Sequence, residues 1–265
     1  MGDGKQEHIH LLDPARETLT KLIFEGSFSG VPVITPDSQQ MAFASDRAGK
    51  ALAVYMVKSD GTGSVRSVTP DGPLRVPTSF SPDGRFLAVS EVNPKSNMDL
   101  MVVSLEDGKM TPFVASPAIE MMGVFSPDGK WMAYQAADAG TAFNVFVRAY
   151  PDGGALRQVS NSGGYFPRWT KGGRELVYTA DVANAANIMS VDVAVEGPAL
   201  VLGKPQKLFD APVARPANAL WFDATADGSR FAMLLTAGQN TQPKRTHVTL
   251  VFNFFEEIRR VTAGK

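Results

Sequence analysis

Apolar residues in this chain fall in short runs of period two, broken at regular intervals by tight turns. One run recurs with large and small residues in alternation: Met41-Ala42-Phe43-Ala44, Phe86-Leu87-Ala88-Val89, Trp131-Met132-Ala133-Tyr134, Leu176-Val177-Tyr178 and Phe231-Ala232-Met233-Leu234. Successive residues of a strand point to opposite sides, so apolar positions on both sides predict a strand buried on both faces. Each run follows a related turn: Thr35-Pro36-Asp37-Ser38, Ser81-Pro82-Asp83-Gly84, Ser126-Pro127-Asp128-Gly129, Thr170-Lys171-Gly172-Gly173 and Thr225-Ala226-Asp227-Gly228. The first residues of these turns are 46, 45, 44 and 55 positions apart. Pro presets φ at the first corner, Asp caps the turn through its side chain, and Gly takes φ > 0 without a clash. A large residue precedes four of the turns: Ile34, Phe80, Phe125 and Trp169. In the fifth copy Ala224 stands there, with Trp221 and Phe222 close by.

A third strand follows in each copy, at Leu52–Val57, Leu100–Leu105, Asn144–Ala149, Ile188–Val193 and Val248–Phe252. A fourth closes most copies, at Val65–Val68, Met110–Val114, Leu156–Ser160 and Lys207–Phe209. A repeat of roughly 40–50 residues built from four short strands is the pattern of a β-propeller blade. A two-layer β-sandwich also has regular short strands, but one turn recurring at a near-constant period favours the propeller. The expected fold is therefore all-β: about five four-stranded blades, beginning near residues 28, 75, 119, 165 and 218, within a single domain. The ends fit the repeat less well. His8–Asp13 and Thr18–Phe24 read as a third and a fourth strand of a partial blade over 7–24, and residues 254–260 read as a short helix. Strands from the two termini sharing one blade would remove an exposed edge. A half-filled blade also makes pairing between two chains an expectation.

Composition narrows the picture by exclusion. No apolar run reaches the roughly 18 residues of a membrane span, and no apolar segment stands at Met1–Glu7, so no signal peptide is expected on this chain. The net charge is −1 without a basic block, which argues against nucleic acid and anionic membranes as partners. Cysteine is absent, which removes disulfides and thiolate chemistry. The many methionines lie largely on strands (Met41, Met56, Met101, Met132, Met189 and Met233) and read as core filler.

The Ser-Pro-Asp-Gly turns, Ala44-Ser45-Asp46-Arg47 at the end of a second strand, and the tail Asn253-Phe254-Phe255-Glu256-Glu257 resemble the TolB-type propeller repeats. The tail is similar to the C-terminal end of bacterial transmembrane serine/threonine kinases that carry such a propeller as an extracytoplasmic sensor. That resemblance implies a sensor portion of a larger protein acting outside the cytoplasm. The chain itself has no glycine-rich nucleotide loop, no His-Arg-Asp loop and no Asp-Phe-Gly triplet. Such propellers also accompany serine peptidases of the prolyl oligopeptidase type. The nearest approach to a Gly-x-Ser-x-Gly elbow is Gly26-Ser27-Phe28-Ser29-Gly30, with Phe28 at the nucleophile position.

Function in a repeat scaffold sits in the loops that differ between copies. The Pro-Asp-Gly turns share one face of the ring, and their carboxylates (Asp37, Asp83, Asp128 and Asp227) recur once per blade, as turn caps do. Loops joining second to third strands, and blade to blade, converge on the channel at the opposite face. Asp46, Arg47, Arg75, Glu91 and Glu120 fall there, as do Asp138, Tyr165, Arg168, Asp181, Asn218 and Trp221. Mixed charge with Tyr and Trp at a channel mouth suits a protein, peptide or small polar ligand; a solvated rim of paired charges is the competing reading. A non-catalytic binding module without cofactor is the leading expectation. The alternative is a metal-assisted hydrolase of esters, lactones or phosphoesters. Its candidate ligands are His8 and His10, two residues apart on one strand face, with His247 near the other end. Three imidazoles with one open position would suit Zn²⁺ or another divalent cation, and Asp13 or Glu7 would act as base or supporting carboxylate.

Overall fold

The large and small sides of each second strand face different neighbours, and a computed structural model of the chain shows which. It describes residues 7–13, 16, 18–22, 25–49, 51–182, 185–197, 199–211 and 222–233. The strands are β1 (His10–Asp13), β2 (Thr18–Lys21), β3 (Ser29–Ile34), β4 (Gln40–Ser45), β5 (Ala53–Lys58), β6 (Arg66–Ser67) and β7 (Arg75–Phe80). Next come β8 (Phe86–Asn93), β9 (Asn97–Ser104), β10 (Met110–Val114), β11 (Ile119–Phe125), β12 (Trp131–Ala137), β13 (Asn144–Ala149) and β14 (Leu156–Gln158). The last are β15 (Tyr165–Thr170), β16 (Glu175–Val182), β17 (Ala185–Glu196), β18 (Ala199–Leu202), β19 (Gln206–Ala211), β20 (Phe222–Ala224) and β21 (Phe231–Met233). The described residues form no α-helix. The predicted helix at 254–260 and the third strand at Val248–Phe252 lie outside them.

Every pairing within the sheets is antiparallel between strands next in sequence, except that β17 also pairs with β19. The first three blades are the four-stranded sheets β3–β6, β7–β10 and β11–β14. The fourth has five strands. Residues 193–196 of β17 pair with β18, and residues 186–190 of the same strand pair with β19. Sequence reading missed β18, because Gly197-Pro198 looks like the end of a strand. β20 and β21 begin a fifth blade, and β1–β2 form a separate hairpin.

Each junction between neighbours has its own apolar cluster. Met41 and Phe43 look back to Ile9 and Leu22 of the N-terminal segment, while Ala42 looks forward to Phe80, Leu87 and Val89 of the second blade. Ala88 joins Met132 and Tyr134; Ala133 joins Leu176 and Tyr178; Val177 joins Phe222, Phe231 and Met233. In blades one to four the large side thus faces the preceding neighbour and the small side receives the next blade. Side chains of this size each contribute roughly 1.5–3 kcal/mol when fully buried.

The turns work as read, with one substitution of parts. In four copies the first Thr or Ser donates its hydroxyl to the turn Asp (2.5–2.6 Å), and that Asp accepts the backbone N–H two residues on. The fourth copy lacks the Asp. There Glu175, five residues after Thr170, accepts both the Thr170 hydroxyl (2.7 Å) and Lys171 Nζ (2.6 Å). A carboxylate is kept, from a different position.

Candidate functional site

What distinguishes the loop face is how its inner strands are bent. β3, β7, β11 and β15 each carry a register shift four or so residues before the turn. Val31, Met122 and Phe166 at those bulges have φ of 51°, 58° and 53°, a conformation costing roughly 1–2 kcal/mol for a residue with a side chain. Two of the three are held by the blade before. Ser90 Oγ accepts the Met122 N–H at 3.0 Å, and Gln135 Oε1 accepts the Phe166 N–H at 2.9 Å. In the second blade the same position is Pro77, which has no N–H, and the first-blade residue opposite in the repeat is Ala44, which has no acceptor. Donor and acceptor are missing together.

The charged residues singled out in the first two blades are largely committed to one another. Asp46 accepts the backbone N–H groups of Ser27 (2.8 Å) and Phe28 (2.9 Å) as well as the Ser27 hydroxyl. These bonds hold its carboxyl below the usual range although burial opposes them. Arg47 pairs with Glu25 and lies over the Tyr55 and Phe43 rings at 5.4 and 5.9 Å. Arg75 is buried, 2.5 Å from Glu91, and donates to the Pro70 carbonyl at 2.6 Å. This corrects the expectation that Arg75 is an exposed loop charge: its guanidinium is enclosed by its own linker and by the end of β8. Glu120 is also buried, accepting the Ser116 hydroxyl and backbone N–H.

The third blade spends Glu120 in the same way, but it and the fourth blade add aromatic surface. Loop 138–144, which includes Asn144 at the start of β13, follows β12 and carries one large residue, Phe143, among small ones. Phe143 is half-buried against Tyr165 (centroids 5.7 Å), which lies beside Phe166 (6.4 Å). On the loop's other side a cavity of about 200 Å³ is lined by Tyr134, Asp138, Asn144 and Phe146. Burial pushes the Tyr134 hydroxyl up to about 12, so it remains a neutral donor at any ordinary pH. Tyr134 and Phe146 stack with centroids 5.9 Å apart. Arg168 reaches across to the fifth blade and binds Asp223 at 2.7 Å. Tyr165 and Arg168 were singled out from the sequence; Phe143, Tyr134 and Phe146 were not. The signal for Phe143 was a lone aromatic residue in a run of Ala, Gly and Thr.

Asp181 lies on β16 with its backbone paired to Ala186. Asn218, Trp221 and His247 lie outside the described residues. His10 Nδ1 donates to the His8 carbonyl at 3.1 Å, and His8 is lowered in pKa, first by burial and then by Lys21 and His10. Among the described residues no three His, Cys, Asp or Glu side chains are grouped so as to hold a metal ion, and no helix is long and apolar enough to cross a membrane.

A family model described as the TolB β-propeller domain matches residues 74–249. The uncharacterized peptidase YuxL of Bacillus subtilis is 27% identical over 157 residues, 44% of this chain and 24% of its own. The chain thus spans about a quarter of the length of that curated relative. A solved structure assigned as TolB from Agrobacterium tumefaciens superposes with a TM-score of 0.63 at 20% identity, covering 74% of this chain and 70% of its own. An oligogalacturonate lyase in complex with manganese gives 0.59 at 18%, over 88% and 65%. Likeness at this level of identity speaks for the fold alone.

Proposed function

Because this chain belongs to the TolB β-propeller family, we propose that it is a binding module, and that loop 138–144 with its two flanks holds a peptide or protein segment. The carrying observation is the contrast between sectors. Blades one and two spend their loop-face charges on internal pairs, whereas loop 138–144 has half-buried aromatic surface on one side and a polar-edged cavity on the other. Aromatic side chains with a polar tip supply contact area at low entropic cost, which suits an extended peptide. Tyr165 and Phe143 provide the apolar contact, Asp138 and Asn144 the polar edge, and Arg168 is positioned by Asp223. In this reading the module needs no metal and works outside the cytoplasm as the sensing part of a longer protein.

Relatives named as a peptidase and a lyase make catalysis the competing reading, so the test covers both. A displayed random-peptide library is selected on the chain and counter-screened on Tyr165→Ala and Phe143→Ala. Peptides that bind the parent and weaken at least tenfold on both variants support the proposal, since truncating a central aromatic contact costs about 2 kcal/mol or more. Peptides that bind all three equally overturn it. So does hydrolysis of a model ester, lactone or phosphoester that a chelator abolishes.

A further inference from the structure

On the turn face of the first blade, away from loop 138–144, a cavity of about 570 Å³ opens between the Thr35 turn and the β5–β6 hairpin. Strand register builds its wall. Gln40 is opposite Lys58, and Met56 is opposite Arg66. Opposed residues, and residues two apart, share one face of a sheet, so these four side chains project together.

Two local contacts hold the cations there. The Lys58 stem lies along Gly63, about 3.8 Å from where a Cβ would stand, and Gly63 has φ of 83°. Arg66 Nη2 rests 3.2 Å from the sulfur of buried Met56. Elsewhere on this face some cations are paired, as Arg85 is with Glu106 and Lys171 with Glu175, and among the described residues others, such as Lys130, are not. Among the described residues neither Lys58 nor Arg66 forms an ion pair, and the side chains of Gln40 and Ser64 make no hydrogen bond. Apart from the Met56 sulfur under Arg66 and the pull of Lys58 on Asp60, these donors have no internal acceptor among the described residues. The one carboxylate of the lining, Asp60, accepts the Thr62 N–H (2.8 Å) and hydroxyl (2.7 Å) through Oδ1, while Oδ2 accepts no hydrogen bond among the described residues. Those bonds keep it ionised, so two cations and one carboxylate leave the cavity a single net positive charge.

We propose that this cavity binds a small hydroxylated monocarboxylate, the chemistry of a sugar acid. The Arg66 fork takes the carboxylate in two parallel bonds with Lys58 as a point charge beside it. Gln40 and Ser64 meet the hydroxyls, and Asp60 Oδ2 accepts one of them. A fully hydrated dianion fits less well, because Asp60 repels its second charge.

The test uses the full chain, labelled with ¹⁵N, and D-glucuronate as probe at low salt, with D-glucose and inorganic phosphate as controls. Glucuronate should shift amide signals of residues 39–40 and 58–66. Glucose should not, and phosphate should bind several-fold more weakly. Arg66→Gln and Lys58→Gln should each weaken glucuronate binding about tenfold, as loss of a charge-assisted hydrogen bond does, and 0.5 M NaCl should act in the same direction. Both side chains are exposed, so an unchanged melting temperature verifies that the variants are folded. Phe143→Ala should leave glucuronate binding intact, which separates this site from the loop-face proposal. No shift at 39–40 and 58–66, equal binding of phosphate, or indifference to both substitutions would overturn the assignment.

Discussion

The junction between the first and second blades and the two junctions after it solve one packing problem differently. At the later junctions side chains cross between inner strands. Thr78 donates to the Gly123 carbonyl (2.7 Å), Ser79 accepts the Phe125 N–H (2.9 Å), and Trp169 Nε1 donates to the Val124 carbonyl (3.0 Å). Ser90 and Gln135 secure the two strained bulges. Between the first and second blades, among the described residues, no such side-chain bond is made; the Arg75 N–H donates to the Leu52 carbonyl at 2.8 Å instead. The large residue before the turn follows the same division. Phe80, Phe125 and Trp169 are 5–8% exposed, whereas Ile34 is 47% exposed. One repeat position is core or surface according to whether a full blade precedes it.

The largest expected break in that comparison comes from truncating the turn-preceding residue. Trp169→Ala should destabilise by about 3–5 kcal/mol, combining a cavity with a lost bond to Val124. Ile34→Ala should cost under about 1 kcal/mol, since little burial is lost. Urea unfolding of both variants checks the pair, and equal losses would refute the division. The next effect concerns the bulges. Gln135→Leu and Ser90→Ala should each cost about 1–3 kcal/mol, because each leaves a backbone N–H at a strained residue without its acceptor. Ala44→Ser should bring no stabilisation and cost about 1–3 kcal/mol, because Ala44 is fully buried and Pro77 has no N–H for the new hydroxyl to accept. If Ala44→Ser stabilises as much as Ser90→Ala destabilises, the donor–acceptor pairing has been misread.

The smallest effect is one of pH. Thr225 and Ser229 hold Asp227 down from 3.8 to about 2, and Ser81 and the Arg85 N–H lower Asp83 in the same way. A carboxyl whose folded pKa is depressed contributes stability that is complete above its unfolded value, near 3.9, and is lost as pH falls toward its folded one. Stability should therefore decline below about pH 4. Asp227→Asn should flatten part of that decline by lowering stability between pH 6 and 8, where the ionised carboxylate contributes in full. An unaltered acid limb in that variant would mean the turn carboxylates are not its source.

Much of this was legible in residue order. Pro-Asp-Gly turns depend only on neighbours in the chain, so their capping could be read directly, and large–small alternation gave the two faces of each second strand. The site was less legible. Arg75 and Glu91 read as a charged rim, because a sequence shows residue type and not enclosure. Asp46 and Glu120 likewise looked available until their partners, Ser27, Phe28 and Ser116, were brought beside them. Phe143 looked incidental because its meaning comes from Tyr165, on another blade.

By itself the sequence determined the all-β class, the blade period, the turn chemistry and the side of each second strand that carries bulk. All of these follow from interactions between residues a few positions apart, which a repeat writes out again and again. The tertiary structure alone decided that Glu175 replaces the missing turn Asp, that Ser90 and Gln135 hold bulges on the next blade, and that the loop-face charges of the first two blades are spent internally. The bulge bonds join residues 31 and 32 positions apart and Arg75 to Glu91 spans 16, while the Glu175 substitution is local but follows no rule of the repeat. Their energies depend on burial and on partner geometry, and neither exists until the blades pack.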